Sequence, residues 1–378
     1  MFTRKIFNEE QKQFRETVSK FINKELVPHH RQWEKNGVVP KEIWLKAGDA
    51  GILCPNVPSQ FGGVDGDFRF NVIIAEELAK AGTSGPGFAV HSDIVAPYIV
   101  NYCNDKQKKE ILPDMVKGKK ISAIAMSEPG TGSDLQNIKT KAIIEGKSIC
   151  LTGSKTFITN GQNADVIIVV AKTDSSKKAK GISLIICESY RKGFKRGKNL
   201  KKIGMKAQDT SELFFEDVIL PVENIIGNKG QGFSQLMDEL PQERLSIAVT
   251  AISAAQAALD WTISYTKQRE AFGRKIIDFQ NTKFVLAKLK TELNVARAYL
   301  DRCIKEHINN NFSAEDGAMA KLWTTDLQFK VLDECLQLHG GYGYMQEYKI
   351  ARAFTDSRVQ RIYGGTNEIM KEIISRSL

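Results

Sequence analysis

Six segments of the chain carry residue types at spacings that allow chemistry. In Arg358-Val-Gln-Arg-Ile-Tyr-Gly-Gly-Thr-Asn-Glu-Ile-Met370 a glycine pair, Gly364 and Gly365, runs into a helix start at Thr366, Asn367 and Glu368. Glycines let a ligand approach the backbone, and Thr366 suits an N-cap. The free N–H groups of such a helix start can receive a phosphate or a polarised carbonyl. Ile124-Ala-Met-Ser-Glu-Pro-Gly-Thr-Gly-Ser-Asp134 combines a Pro-Gly turn with three hydroxyls, Ser127, Thr131 and Ser133. By itself this could be a well-satisfied loop. Ser154-Lys-Thr-Phe-Ile-Thr-Asn160 reads as a strand with an aromatic at Phe157, and Gln268-Arg-Glu-Ala-Phe-Gly273 with Phe279-Gln280 as a break between helices. Arg269 there either binds phosphate oxygens bidentately or neutralises a helix terminus. Gln337-Leu-His-Gly-Gly-Tyr-Gly-Tyr344 stops a helix with three glycines in four positions, more than a C-cap needs. Finally, Asp238-Glu-Leu-Pro-Gln-Glu-Arg-Leu245 sets Glu239 and Glu243 one helical turn apart. Pro241 between them predicts a helix opening there, with Gln242 and Glu243 in its first turn and Glu239 a candidate surface charge.

The elements that position these segments follow from periodicity. Phe14, Val18, Phe21, Ile22 and Leu26 share one face of a helix that starts near Asn8 and ends at Pro28, and 71–81 and 105–116 are also helical. The first 120 residues are therefore predicted all-α. Short β-branched runs follow at 147–152, 155–159, 165–171, 181–187 and 213–220. The gaps between them are too short for crossover helices, so antiparallel strands in a small barrel or sandwich are expected. A Rossmann fold is disfavoured, because Gly130-Thr-Gly132 lacks the third glycine of a dinucleotide fingerprint. From Gly232 helical spacing returns: Val285, Leu289, Leu293, Ala296, Leu300 and Cys303 form one stripe, and Trp323, Leu327, Val331, Cys335 and Leu338 another, as in a bundle.

Composition narrows the class. A chain of 378 residues, 42% hydrophobic, fills two or three packed subregions. It has no apolar run long enough to span a membrane, and Met1-Phe-Thr-Arg-Lys-Ile-Phe7 lacks the apolar stretch of a secretory signal. The expected location is the cytoplasm for a bacterial chain, or the mitochondrial matrix for a eukaryotic chain that has lost a transit peptide. Six scattered cysteines without C-x-x-C or histidine spacing predict buried thiols and no metal. The net charge of +10 gathers in Arg191, Lys192, Lys195, Arg196, Lys198, Lys201, Lys202 and Lys206. With Phe194 the one aromatic among them and no binding motif around them, this predicts a solvated loop, or attraction of a phosphate-rich ligand, rather than nucleic-acid binding.

Taken in order along nearly the whole chain, these motifs resemble the acyl-CoA dehydrogenases. The resemblance implies an α+β multidomain fold: an N-terminal helical domain (1–120), a middle antiparallel β domain (121–230) and a C-terminal four-helix bundle (231–378). It implies FAD bound by Ile124, Ala125, Met126, Ser127, Glu128, Pro129, Gly130, Thr131, Gly132 and Ser133 of the loop, and by Phe157, where the family usually has tryptophan, with Ile158 and Thr159. Arg269, Phe272 and Gln280 would reach the FAD of a neighbouring subunit, implying a homotetramer or dimer. Gln337, Leu338, His339, Gly340 and Gly341, with Thr366, Asn367 and Glu368, would complete the cofactor site, leaving His339 no acid–base role. Most of the family carries its catalytic glutamate at the position of Gly364. A minority, including the isovaleryl-CoA and long-chain enzymes, places it on a bundle helix, which here is Glu243. Ser133, Pro241, Gln242, Glu243, Arg244, Gly364 and Gly365 would then meet a fatty acyl-CoA, and electrons would pass to an electron-transferring flavoprotein. Gly85 and Gly87, in Ser84-Gly-Pro-Gly-Phe88, could leave depth for an alkyl tail or serve a tight turn.

Overall fold

The computed structural model describes residues 4–378; Met1, Phe2 and Thr3, part of the segment read above as lacking a secretory signal, lie outside the described residues. The chain begins with α1 (Glu9–Phe21), where Asn8 and Gln11 close a capping box, and continues through a π-helical turn, Ile22–Leu26. Helices α2 (His30–Asn36), α3 (Lys41–Asp49) and α4 (Phe68–Ala81) follow. A second π-helical turn, Val90–Val95, leads into α5 (Ala96–Tyr102), and α6 (Asp105–Val116) has the predicted bounds. The short α2, α3 and α5 carry too few turns to show a periodicity of their own.

The middle of the chain is a seven-stranded sheet. Its strands are β1 (Ser122–Ala125), β2 (Lys141–Glu145), β3 (Ser148–Thr159), β4 (Val166–Lys172), β5 (Ile182–Glu188), β6 (Phe194–Asn199) and β7 (Thr210–Pro221). The order is β1-β4-β2-β3-β7-β6, with β5 also on β4. The expectation of purely antiparallel pairing is corrected, because β1 and β2 both lie parallel to β4. The β2–β3 hairpin supplies the return path, so no helix is needed. Strand β4 is buried on both faces. Ile167, Val169 and Ala171 enter the core inside the sheet, while Val166, Ile168 and Val170 pack on Tyr98, Ile99, Leu112 and Met115 of α5 and α6. The basic segment is also corrected. Part of it is strand β6, with Lys195 paired to Glu216 at 2.6 Å and Arg196 donating to the Gly161 and Ala164 carbonyls.

The C-terminal part is built on α7 (Gly232–Gln268), α8 (Gln280–Ile308) and α9 (Ala314–Leu338), with α10 (Lys349–Ser357) and α11 (Asn367–Ser375) against them. A hairpin of β8 (Glu270–Ala271) and β9 (Arg274–Lys275) joins α7 to α8. Leu289, Leu293, Ala296, Leu300, Leu327, Val331 and Cys335 enter one core, which Phe68 and Val72 of α4 join; Trp323, expected inside, is 41% exposed. Glu76 of α4 pairs with Arg4, Arg15 of α1 and Arg297 of α8, tying the N-terminal helices to the bundle.

Candidate active site

Pro241 does not open a helix. Helix α7 runs unbroken from Gly232, nine residues earlier, so Glu243 sits in mid-helix and away from the positive end of the dipole. The proline leaves α7 one N–H short, and α9 crosses close beside it: a Cβ on Gly317 would stand 3.1 Å from Pro241 Cα. Glu243 is buried, and its Oε1 accepts from the Tyr98 hydroxyl of α5 at 3.0 Å. Burial pushes its carboxyl up to about 7; Tyr98 and Arg244 oppose the shift and Glu239 adds to it. Glu239 is not the surface charge expected. It is buried, accepts from Asn101 Nδ2 at 2.7 Å, and is itself raised by burial. Gln242 is held at both ends, donating to the Asp93 carbonyl at 2.6 Å and meeting His307 Nε2 at 2.9 Å.

The next residue ties the base to the C-terminal glycines. Arg244, also buried, reaches the Gly364 carbonyl with Nε at 3.3 Å. Gly364 and Gly365 take φ of +65° and +90°, a left-handed course that glycine adopts freely. The side of Gly364 is closed by Ile247, whose Cδ1 would lie 2.5 Å from an added Cβ. Thr366 caps α11 by accepting from Ile369 N at 3.4 Å. Asn367 turns its side chain into the bundle, where it meets Lys321, Thr325 and Asp326, while Glu368 is exposed.

The loop Ile124–Ser133 divides in two. Ala125, Glu128 and Thr131 are buried, whereas Pro129, Gly130, Gly132 and Ser133 are exposed; Ile124, Met126 and Ser127 lie between. Glu128 is an anchor, accepting from Lys139 N and Thr140 N and pairing with Lys155 Nζ at 2.9 Å. Lys155 also donates to the Met126 carbonyl at 2.9 Å, and Thr156 N to the Ser127 carbonyl at 3.0 Å. The loop is thus fastened to β3 where that strand bulges. The register slips between Lys155 and Ile158, and Phe157 takes φ +61°. Its ring is thereby turned out and 69% exposed beside Thr159, while Ile158 is buried.

A cleft of about 580 Å³ lies where α7 meets the end of α9, lined by Arg269, Gln337, Leu338, His339, Gly340 and Gly341 among others. Added Cβ atoms on Gly340 and Gly341 would meet nothing within 4 Å. His339 points its Nδ1 at the Cys335 carbonyl, 2.8 Å away, stacks on Tyr265, and is held toward its neutral form by burial. Phe272, at the tip of the β8–β9 hairpin, is 95% exposed, and Gln280 opens α8. Gly85 and Gly87 make no tail pocket. Added Cβ atoms would stand 2.7 Å from Ala207 Cβ and 1.9 Å from Asn160 Oδ1, so these glycines serve close packing.

Sequence reasoning missed Tyr98, Lys155 and Lys321. Tyr98 carries no local signal, since its hydroxyl meets Glu243 across 145 residues. The two lysines do: each is a lone cation in an otherwise uncharged stretch, Thr152–Thr159 and Gly317–Thr325. Among the described residues no group of three or more His, Cys, Asp or Glu side chains is placed to hold a metal, and no helix is long and apolar enough to cross a membrane.

Helices, sheet and bundle in this order, with a buried carboxyl one residue from the arginine that holds a Gly-Gly turn, define a class: the chain belongs to the acyl-CoA dehydrogenase family. The descriptions "Acyl-CoA dehydrogenase, N-terminal domain", "middle domain" and "C-terminal domain" match residues 8–119, 123–218 and 230–378. Within it, the chain is 51% identical over 377 residues to the mitochondrial long-chain specific acyl-CoA dehydrogenase of Sus scrofa, spanning 99% of this chain and 88% of that protein. An acyl-CoA dehydrogenase of Geobacillus kaustophilus superposes with a TM-score of 0.97 at 47% identity, 99% of each chain being covered. One from Bacillus anthracis, solved in complex with FAD, superposes at 0.92 with 31% identity over all of this chain and 69% of that one.

Proposed function

We propose that this chain is an FAD enzyme that converts medium-to-long-chain fatty acyl-CoA to the trans-2-enoyl-CoA and passes the electrons to an electron-transferring flavoprotein. The observation that carries the reading is Glu243, a buried carboxyl raised to about 7 on the turn of α7 whose Arg244 and Ile247 meet Gly364. A thioester α-proton is weakly acidic, so it needs a desolvated base and a polarised carbonyl together. Glu243 takes the proton from the α carbon. The Gly364 N–H donates to the thioester oxygen, where charge gathers as the proton leaves.

The residues present fit FAD. Pro129, Gly130, Gly132 and Ser133 offer an open loop edge, Phe157 an outward ring, and Gly340 and Gly341 an unfilled wall beside Arg269. When bound, FAD supplies the acceptor for the β-carbon hydride. The loop hydroxyls and amides hold its ring, the Phe157 ring excludes water, and Arg269 with Gln280 meets phosphate and adenine across a subunit boundary, in a homotetramer or dimer. Glu128, His339 and Asn367 support the site from behind, their side chains being engaged within the fold. The division at 120/121 and 230/231 assigns the loop and Phe157 to the middle domain, and the base and cleft to the bundle.

The preference for straight chains rests on the likeness to the long-chain relative. A short branched substrate of the isovaleryl type would use the same base, and a panel of acyl-CoAs read by flavin bleaching separates the two. The deciding variant is Glu243→Gln, which keeps shape and burial but cannot take the proton. Flavin reduction by acyl-CoA should fall by about 1,000-fold or more while FAD and product binding persist; reduction near the parental rate would refute the assignment.

A further inference from the structure

Lys321 of α9 has no part in the reading above, yet it is completely buried. Its ammonium donates to the Gly365 carbonyl at 2.7 Å and to Asn367 Oδ1 at 2.9 Å. Asn367 is fixed in turn by Asp326 at 3.0 Å, and Asp326 by Arg361 at 2.7 Å. On the other side Arg244 reaches the Gly364 carbonyl. Two buried cations therefore hold the carbonyls of two successive glycines, both with left-handed φ angles and neither with a Cβ to restrict its backbone. Stability alone accounts poorly for this arrangement. Desolvating an ammonium is costly, and an apolar side chain of like volume commonly serves a core as well or better.

We infer that Lys321 is a positioning residue for the reaction: by clamping the Gly365 carbonyl and Asn367 it fixes the peptide planes of the Gly364–Gly365 turn, so that the Gly364 N–H stays aimed at the substrate's thioester oxygen. The inference rests on the proposed function, in which that N–H receives the carbonyl. Lys321 acts through the backbone and touches no reacting atom. The N–H belongs to the Tyr363–Gly364 peptide and the clamped carbonyls to the two peptides that follow it, so without the clamp those two can rotate and the turn no longer holds the donor in the direction in which charge develops. Burial lowers the Lys321 ammonium to about 8, with Arg244 adding to the shift. The charged groups facing it are Arg244 from α7, Asp326 from its own helix, Glu368 from α11 and Arg361 from the turn before the glycines.

The test uses the FAD-loaded protein with two ligands: a medium-chain acyl-CoA to read flavin reduction, and the matching trans-2-enoyl-CoA, labelled at the thioester carbonyl, to read the carbonyl stretch. In Lys321→Met, flavin reduction should slow about 10- to 100-fold with FAD content unchanged. The infrared stretch of the bound carbonyl should return toward its free-solution frequency. Lys321→Gln, which keeps a donor, should fall between. A folded Lys321→Met with parental rate and parental stretch overturns the inference. Should that variant fail to fold, the same two readings on Lys321→Gln decide in the same way. A Glu243→Gln protein with full activity would remove the proposed function itself; an inactive one alongside an unaffected Lys321→Met removes only this inference.

Discussion

The Tyr98 hydroxyl donates to Glu243 Oε1 at 3.0 Å, and both side chains are buried. The bond favours the charged carboxylate, so it opposes the burial that raises Glu243 to about 7. In the parent protein the rate of flavin reduction should rise with pH through about 7 as the base loses its proton. Tyr98→Phe removes the donor and leaves the ring, so the acid limb of that profile should move to higher pH while the plateau changes less. Stopped-flow bleaching across pH 5–9 reads this shift directly. A limb that stays in place would mean that another group carries the profile.

Arg269 stands over the Tyr342 ring, 5.6 Å from its centre, at the mouth of the cleft, and Phe272 three residues on lies in solvent. Arg269→Ala should weaken FAD retention by about tenfold or more, the worth of one charge-assisted contact. If the same side chain bridges subunits, sedimentation should show the assembly loosening in parallel. An unchanged ratio of flavin to protein, with an intact assembly, would leave Arg269 as a charge at the end of α7.

The pairing of Glu76 with Arg4, Arg15 and Arg297 makes stability depend on acid. Burial works to raise the Glu76 carboxyl, and the three guanidiniums outweigh it, so the folded value lies below the ordinary 4.5. A depressed folded value gives stability that is fully present above the unfolded value and lost as pH falls through the folded one. Glu76→Gln should therefore cost about 3 kcal/mol at pH 7, chiefly because the largely buried Arg297 loses its partner, whereas Arg4 keeps Asp301 and Arg15 keeps Glu77. The gap to the parent should narrow below about pH 4 as the parent protonates. Thermal melts of both proteins at several pH values test the sign as well as the size.

The parts that could be read from the chain are those whose signal is local. Helix α6 has a capping box at Asn104 and Gln107, and its predicted bounds coincide with the observed ones. The bundle cores repeat every three to four residues over 29 and 25 positions, long enough for the period to stand out. Glu243 lay within a recognisable segment. Its mid-helix setting did not, because proline locally signals a helix start, whereas α7 has already run nine residues before Pro241. Strand β6 hid beneath its charges, since the partners of those charges are Glu216 on β7 and carbonyls in the turn between β3 and β4. The parallel pairing of β1 with β4 and the Tyr98–Glu243 bond are likewise properties of distant segments meeting, and no window of sequence contains both halves.

Where Gly87 meets Asn160, the helical region and the sheet fit so tightly that any side chain at 87 would collide with the amide, which itself donates to the Gly87 and Ser122 carbonyls. Neither position can drift alone. A larger residue at 87 has to await a smaller one at 160, and a smaller one at 160 first gives up two bonds that join three segments. The route between two workable versions of this seam thus passes through a poorer protein. Divergence is therefore gated at the seam.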